Sequence, residues 1–192
     1  MRKIFIITGP IGSGKSSACK VLKRHGYKYI NSDKFAKEII KNNINIKKKI
    51  SKLLNMDISL SKRMPWKKIR DFISLSMNNK KSYDAIVHDI FYKRLNHFLN
   101  INKHNYVIEI PLVETIKKIK QKKITICILA NYMKRKERFT KNKHKNESQF
   151  CSLNNLQKSR EFYMKNSDYV VNNDREIEIM TSKIISIVNK YQ

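Results

Sequence analysis

Gly9-Pro10-Ile11-Gly12-Ser13-Gly14-Lys15-Ser16 is the stretch on which the reading of this chain turns. It matches the spacing G-x-x-x-x-G-K-[ST], and that spacing has a physical cause. Glycines let the backbone wrap a phosphate with its N–H groups, while the helix that follows points its positive end at the same place. Gly12, Ser13, Gly14, Lys15, Ser16 and Ser17 would then form the nucleotide cradle. The Lys15 ammonium would reach the β- and γ-phosphates and the Ser16 hydroxyl would ligate Mg2+. Pro10 has no N–H to give, but the donors come from residues further along. The flanks agree. Ile4 to Ile7 is a continuous apolar run ended by glycine, which predicts a strand buried on both faces. Lys15 to Lys23 places Ala18, Cys19 and Leu22 on one helical face. The plainer reading of the same stretch is a glycine-rich strand-to-helix turn.

Working outward, Tyr27 to Ile30 predicts a short second strand, and Phe35, Ile39 and Ile40 begin a helix after Asp33. From Ile44 to Asn102 the spacing is helical, with polar breaks at 55–61 and 77–82, so several short helices are expected there. Pro65 suits the first turn of one of them. Tyr106 to Ile110, Ile124 to Ala130 and Tyr169 to Val171 predict three more strands. Asn131 to Asn166 is polar and rich in Lys and Asn, with helical pieces. Ile177, Met180, Ile184, Ile187 and Tyr191 mark an amphipathic closing helix. Strands alternating with helices predict an α/β protein with a mainly parallel, five-stranded sheet. One stretch, 44–102, carries helices without strands, which marks an α-helical insertion. The expected division is a core of 1–43, 103–130 and 167–192, an insertion of 44–102 and a lid of 131–166. No internal repeat or linker is visible.

A chain of 192 residues with 41% hydrophobic residues can bury one real core, with or without an insertion. Four Gly, three Cys and no long heptad run exclude collagen, a disulfide scaffold and a coiled coil. Cys19, Cys127 and Cys151 are odd in number, widely spaced and form no CxxC pair, which fits a reducing cytosol better than a bridge framework or a zinc site. No apolar run approaches the ~20 residues of a membrane span. Arg2 and Lys3 before Ile4 imitate the start of a signal peptide, but the apolar run breaks at Thr8-Gly9-Pro10. A soluble, cytoplasmic monomer is expected. The formal charge of +27 invites a nucleic-acid reading. Lysines, however, are spread along most of the chain together with Asn and Ile, as in a genome biased towards A and T. A basic enzyme for anionic phosphates explains the sign equally well, so no specific nucleic-acid partner is expected.

Asp33 follows the second predicted strand, at the carboxyl edge of the sheet where open α/β folds place ligands. Two readings fit it equally: a carboxylate that takes a proton from an attacking hydroxyl or holds the metal's water shell, and a helix cap, for which Asn31, Ser32 and Asp33 are all suited.

The chain resembles the dephospho-CoA kinases over nearly its whole length. Thr8 to Ser16 is similar to the family's G-G-I-G-S-G-K-[ST]. Asn31-Ser32-Asp33-Lys34-Phe35-Ala36-Lys37 resembles D-A-D-x-x-A-[RK]. Ile110-Pro111-Leu112-Val113-Glu114 resembles V-P-L-L-F-E, and Gln157 followed by Ser167 to Asn173 resembles Q…A-D-x-V-I-x-N. The resemblance implies a P-loop kinase fold and transfer of the γ-phosphate of ATP, with Mg2+, to the 3′-hydroxyl of dephospho-CoA, the last step of CoA synthesis. It implies that Asp33 is the base, Lys15 and Ser16 the phosphate and magnesium residues, Arg138 a lid arginine on the triphosphate, and Asn173 a neighbour of the adenine. Lys37, His88, Pro111, Leu112 and Glu114 fall on the acceptor side, as does the 44–102 insertion.

Four departures stand out. The first Asp of D-A-D is Asn31, and H-P in the insertion is His88-Asp89. The early insertion arginine has Arg63 a few positions off and Trp66 nearer its place. A second lid arginine is Asn142, flanked by Lys141 and Lys143, which supply charge without a planar two-pronged grip. Plainer roles remain open beside the functional ones. His88 reads as a structural helix residue, Glu114 as a loop-orienting carboxylate, Met64 and Trp66 as core or cleft wall, and Lys134 to Lys145 as a solvated face around Arg138. Other functions compete as well: another small P-loop nucleoside or nucleotide kinase, a homologue that binds ATP with weak or no catalysis, and a nucleic-acid-binding P-loop module.

Overall fold

The computed structural model describes residues 2–61, 63–141 and 146–191. The strands are β1 (Ile4–Thr8), β2 (Lys28–Asn31), β3 (Tyr106–Glu109), β4 (Ile124–Leu129) and β5 (Tyr169–Asn172). They form one sheet in the order β2-β3-β1-β4-β5. Every pairing is parallel, with Ile7 beside Glu109 and Ile126, Asn31 beside Glu109, and Leu129 beside Asn172. All five strands lie within a residue of their expected places. The chain leaves β1 for the sheet edge, fills the gap with β3, then crosses to β4. The reversal of direction beside β1 is where an open parallel sheet leaves a crevice at its carboxyl ends.

β1 is buried along its whole length. Phe5 and Ile7 pack with Ala18, Cys19 and Leu22 of α1 (Lys15–Arg24) and with Met180, Ile184, Ile187 and Val188 of α9 (Ile177–Asn189). Ile4 and Ile6, pointing the opposite way, are equally buried. A strand that must be apolar on both faces is why its sequence shows no alternation. Between β4 and β5 run α6 (Tyr132–Thr140), α7 (Glu147–Asn155) and α8 (Arg160–Lys165), started by the side chains of Asn131, Asn146 and Ser159, each accepting from an N–H of the first turn. Asn142 and Lys143 lie outside the described residues. The ammonium of Lys141 pairs with Glu137 at 2.8 Å on an exposed face.

Two compact units divide the chain: 1–31 with 99–192, and 32–98. The second holds α2 (Ser32–Lys41), α3 (Ile44–Leu54), α4 (Trp66–Leu75) and most of α5 (Met77–Ile101). This helical unit begins at Ser32 and includes α2. Phe35 of α2 meets the rings of Phe91 and Phe98 edge-on or tilted, at 5.7 and 6.1 Å. The expected polar break at 77–82 is instead the opening of the 25-residue α5. The break is Ser76 alone, whose extended backbone ends α4 and whose hydroxyl accepts the N–H of Asn79. A polar run on an exposed helix face looks like a loop when only composition is read.

Among the described residues no helix is long and apolar enough to cross a membrane. Cys19, Cys127 and Cys151 are free thiols.

The two ends of α9 should respond differently to truncation. Ile184 is 0% exposed and Ile177 51%. Ile184→Ala should cost about 2–5 kcal/mol of unfolding free energy, and Ile177→Ala less than about 0.5 kcal/mol, as read from urea titrations.

Candidate active site

The loop between β1 and α1 has no room for side chains at its glycines. Gly12 and Gly14 stand at φ +75° and +102°, where only glycine sits without strain. A Cβ on Gly12 would strike the backbone of Arg135, and one on Gly14 would strike the amide of Asn173. The loop is therefore shaped from outside by α6 and by the residue after β5. It is also tied from within. The Ser13 N–H donates to Pro10 O at 3.2 Å, and the Ile11 N–H donates to Gln157 Oε1 at 2.8 Å. Lys15 folds back so that its ammonium donates to Pro10 O at 2.9 Å.

At the carboxyl end of β3 stands a residue the sequence reading passed over. Glu109 is 7% exposed and accepts three hydrogen bonds: from Ser16 Oγ on Oε1 at 2.8 Å, and on Oε2 from Asn31 Nδ2 at 3.0 Å and from the Tyr29 hydroxyl. Burial, then the bond to Glu109, pushes the Tyr29 phenol well above its ordinary value. A charge inside the otherwise apolar run Tyr106 to Ile110 was the available signal, since a buried carboxylate needs partners. Strand pairing supplies them, because Asn31 and Glu109 lie side by side in the register.

Of two arginines on α6, Arg135 reaches the same loop and Arg138 reaches the residue after β5. Arg138 Nη2 donates to Asn173 O at 2.8 Å. Arg135, also passed over in the sequence, donates through Nη1 to Asn154 Oδ1 at 2.8 Å and Ile11 O at 3.3 Å, with the rings of Tyr132 and Phe150 each 5.8 Å away. Burial lowers its pKa from the usual arginine value. Asn173 is 6% exposed and donates through Nδ2 to Ser13 O at 2.8 Å. Pro111 accepts the Tyr163 hydroxyl at 3.0 Å. Leu112 O caps the short 3-10 turn Val113–Lys118 by accepting from Thr115. In that turn Glu114 keeps one buried oxygen, Oε2, without a hydrogen-bond partner among the described residues.

Asp33, Lys37 and His88 belong to the helical unit. Asp33 occupies the first turn of α2, where a carboxylate complements the helix dipole. Its charge, with that of Asp84, adds to burial in raising the Tyr83 phenol. Asp84 in turn lies 3.0 Å from Lys80 and 3.4 Å from His88 Nε2. Lys37 holds its ammonium 5.4 Å from the Trp66 ring.

A phosphate-binding loop joining the central strand of this parallel sheet to α1 defines a P-loop kinase. Within that class the chain belongs to the dephospho-CoA kinase family, whose model matches residues 3–178. It is 23% identical over 195 residues to a dephospho-CoA kinase of Hydrogenovibrio crunogenus, covering 99% of this chain and 98% of that one. Its fold is that of TT1252 from Thermus thermophilus, with TM-score 0.78 and 20% identity over 100% of this chain and 98% of that one. It also matches a dephospho-CoA kinase from Campylobacter jejuni, with TM-score 0.61 and 18% identity over 98% and 97% of the two chains.

Replacing Glu109 by Ala removes the acceptor shared by Ser16, Tyr29 and Asn31. The variant should lose about 1–3 kcal/mol of stability in a denaturant titration, and Tyr29→Phe, which removes one donor only, should lose less.

Proposed function

We propose that the protein transfers the γ-phosphate of ATP to the 3′-hydroxyl of dephospho-CoA, giving CoA and ADP. The observation that carries this reading is the Ser16 hydroxyl held 2.8 Å from a buried carboxylate at the first turn of α1. In this reading the hydroxyl and the carboxylate form the metal side of a loop whose N–H groups can hold phosphate. In this reading Gly12, Ser13, Gly14, Ser16 and Ser17 cradle the triphosphate, and Asn173 stands on the same nucleotide side. Lys15 leaves the Pro10 carbonyl for the transferring phosphoryl group, and Arg138 meets the phosphates from α6.

Mg2+ fits the donor set, because a hydroxyl and a carboxylate are the hard oxygen ligands it takes. Among the described residues no three His, Cys, Asp or Glu side chains gather into a cage. That suits an ion held by one or two protein oxygens together with nucleotide phosphates. Ser16 would hold it, with Glu109 orienting the hydroxyl. When bound, the ion neutralises phosphate charge that would otherwise repel the nucleophile.

Asp33 takes the proton of the acceptor hydroxyl, and Lys37, His88, Pro111, Leu112 and Glu114 belong to the acceptor side. What supports Asp33 is its place two residues beyond Asn31, whose amide touches the Glu109 carboxylate, and the family pattern that its neighbours match. Positioning and charge neutralisation carry most of such a transfer. The setting that agrees with this role is the cytoplasm.

A coupled assay of ADP release with and without dephospho-CoA tests the assignment. Release should depend on dephospho-CoA and should not be supported by nucleosides or nucleoside monophosphates. In the same assay Lys15→Ala should lose at least ~10²-fold in turnover while remaining folded. A folded variant with near-normal turnover would overturn the loop's role.

Asp33→Asn separates the two readings of that residue. As the base it should cost on the order of 10²–10⁴-fold in turnover and leave ATP binding in place. As a first-turn helix residue it should cost only about 0.3–1 kcal/mol of stability and leave turnover alone. Melting temperature and turnover measured together decide between them.

A further inference from the structure

Asn173 follows β5 in a position with few degrees of freedom. Its N–H donates to Leu129 O at 2.7 Å, which continues the β4–β5 ladder by one residue. Its side-chain Nδ2 donates to Ser13 O at 2.8 Å inside the phosphate loop. Its own carbonyl accepts Arg138 Nη2 at 2.8 Å. The same Nδ2 fills the space that a Cβ on Gly14 would need. One residue thus touches the sheet, the loop and the arginine of α6.

Arg138 is incompletely satisfied by this arrangement. Nη1 is buried and has no hydrogen-bond partner among the described residues. A guanidinium presents its donors in a rigid planar fork, so fixing Nη2 on the Asn173 carbonyl also fixes where Nη1 points. The amide of Asn173 is already engaged by Ser13, and its carbonyl by Arg138.

We infer that Asn173 is a positioning residue that couples the aim of Arg138 to the shape of the phosphate loop, and that it acts on the phosphates of the nucleotide rather than on its base. Holding Ser13 O on one side and Arg138 on the other, it sets the loop's N–H groups and the arginine at a fixed separation for a polyphosphate. The inference rests on the proposed nucleotide site, but its test does not need the acceptor.

The experiment measures binding of Mg·ATP, Mg·GTP and inorganic tripolyphosphate to the full chain by calorimetry, for the wild type, Asn173→Ala, Arg138→Ala and the double variant. Asn173→Ala should weaken ATP and tripolyphosphate by the same factor, about tenfold, and leave the ATP-to-GTP preference unchanged. With Arg138 already replaced, removing the Asn173 side chain should cost less than about threefold more, because the loop anchor it supplies through Ser13 O then has no arginine to be aligned with. A changed ATP-to-GTP preference with tripolyphosphate binding intact would make Asn173 a base-reading residue and overturn the inference. So would full additivity with Arg138→Ala, which is what a merely structural residue gives. A wild-type chain that does not bind tripolyphosphate would overturn it as well.

Should Asn173→Ala fail to fold, Asn173→Asp keeps the size and turns the donor facing Ser13 O into an acceptor. The same pattern with a larger loss is then expected. Failure of the wild type to phosphorylate dephospho-CoA would count against the proposed reaction alone, since none of these titrations contains the acceptor.

Discussion

The loop at 9–16 can take its shape only if nothing but hydrogen stands at its glycines, and the rest of the site is arranged around that constraint. Gly9 faces the carbonyl of Ile128 on β4, Gly12 the backbone of Arg135 on α6, and Gly14 the amide of Asn173 after β5. Three separate elements thus press a glycine each. The loop's form is a property of the sheet order and of α6, since β1 must lie next to β4, and β4 next to β5, for these contacts to exist. A close backbone approach of this kind leaves N–H groups, rather than side chains, to line the inside of the turn.

Around the loop the polar atoms are left short of partners in a consistent way. Thr8 Oγ1, Ser13 Oγ, Arg135 Nε and Arg138 Nη1 are buried without a hydrogen-bond partner among the described residues. Buried polar groups are ordinarily paired, because each orphan costs about 1–3 kcal/mol. Those of Thr8, Ser13 and Arg135 stand at the loop, and that of Arg138 beside Asn173, which holds the loop at Ser13 O. All four can donate, which is the chemistry a polyanion answers.

The sequence made the framework legible because its signals are local. An apolar β-branched run, glycines at fixed spacing and a lysine with a hydroxyl after them needed no tertiary information, and all five strands lie within a residue of where the pattern placed them. The site was less legible, for physical reasons. Glu109 is one charged residue in an apolar strand, and its significance appears only when parallel pairing sets it beside Asn31 and over Ser16. Arg135 sits three positions from Arg138 in a run of like residues, and nothing in that run tells a half-buried guanidinium from a solvated one. The opening of α5 is not legible because a polar exposed face and a loop have the same composition, and the residue between α4 and α5, Ser76, carries its signal in its backbone.

The Asn at position 31, where the family pattern has Asp, acquires a reason from Glu109. Its Nδ2 lies 3.0 Å from one carboxylate oxygen and 3.1 Å from the Tyr29 hydroxyl, so it sits within a cluster whose single negative charge is already supplied by β3. An aspartate there would set two carboxylates about 3 Å apart, a repulsion on the order of 5 kcal/mol at the effective dielectric of a protein. One of the two would have to take up a proton to relieve it. The neutral amide removes the repulsion and adds a donor, and together with Tyr29 it leaves Oε1 free to hold Ser16. The departure at 31 and the acid at 109 are therefore one arrangement: the charge stands on the central side of the sheet, against α1, and the edge strand contributes only hydrogen-bond donors.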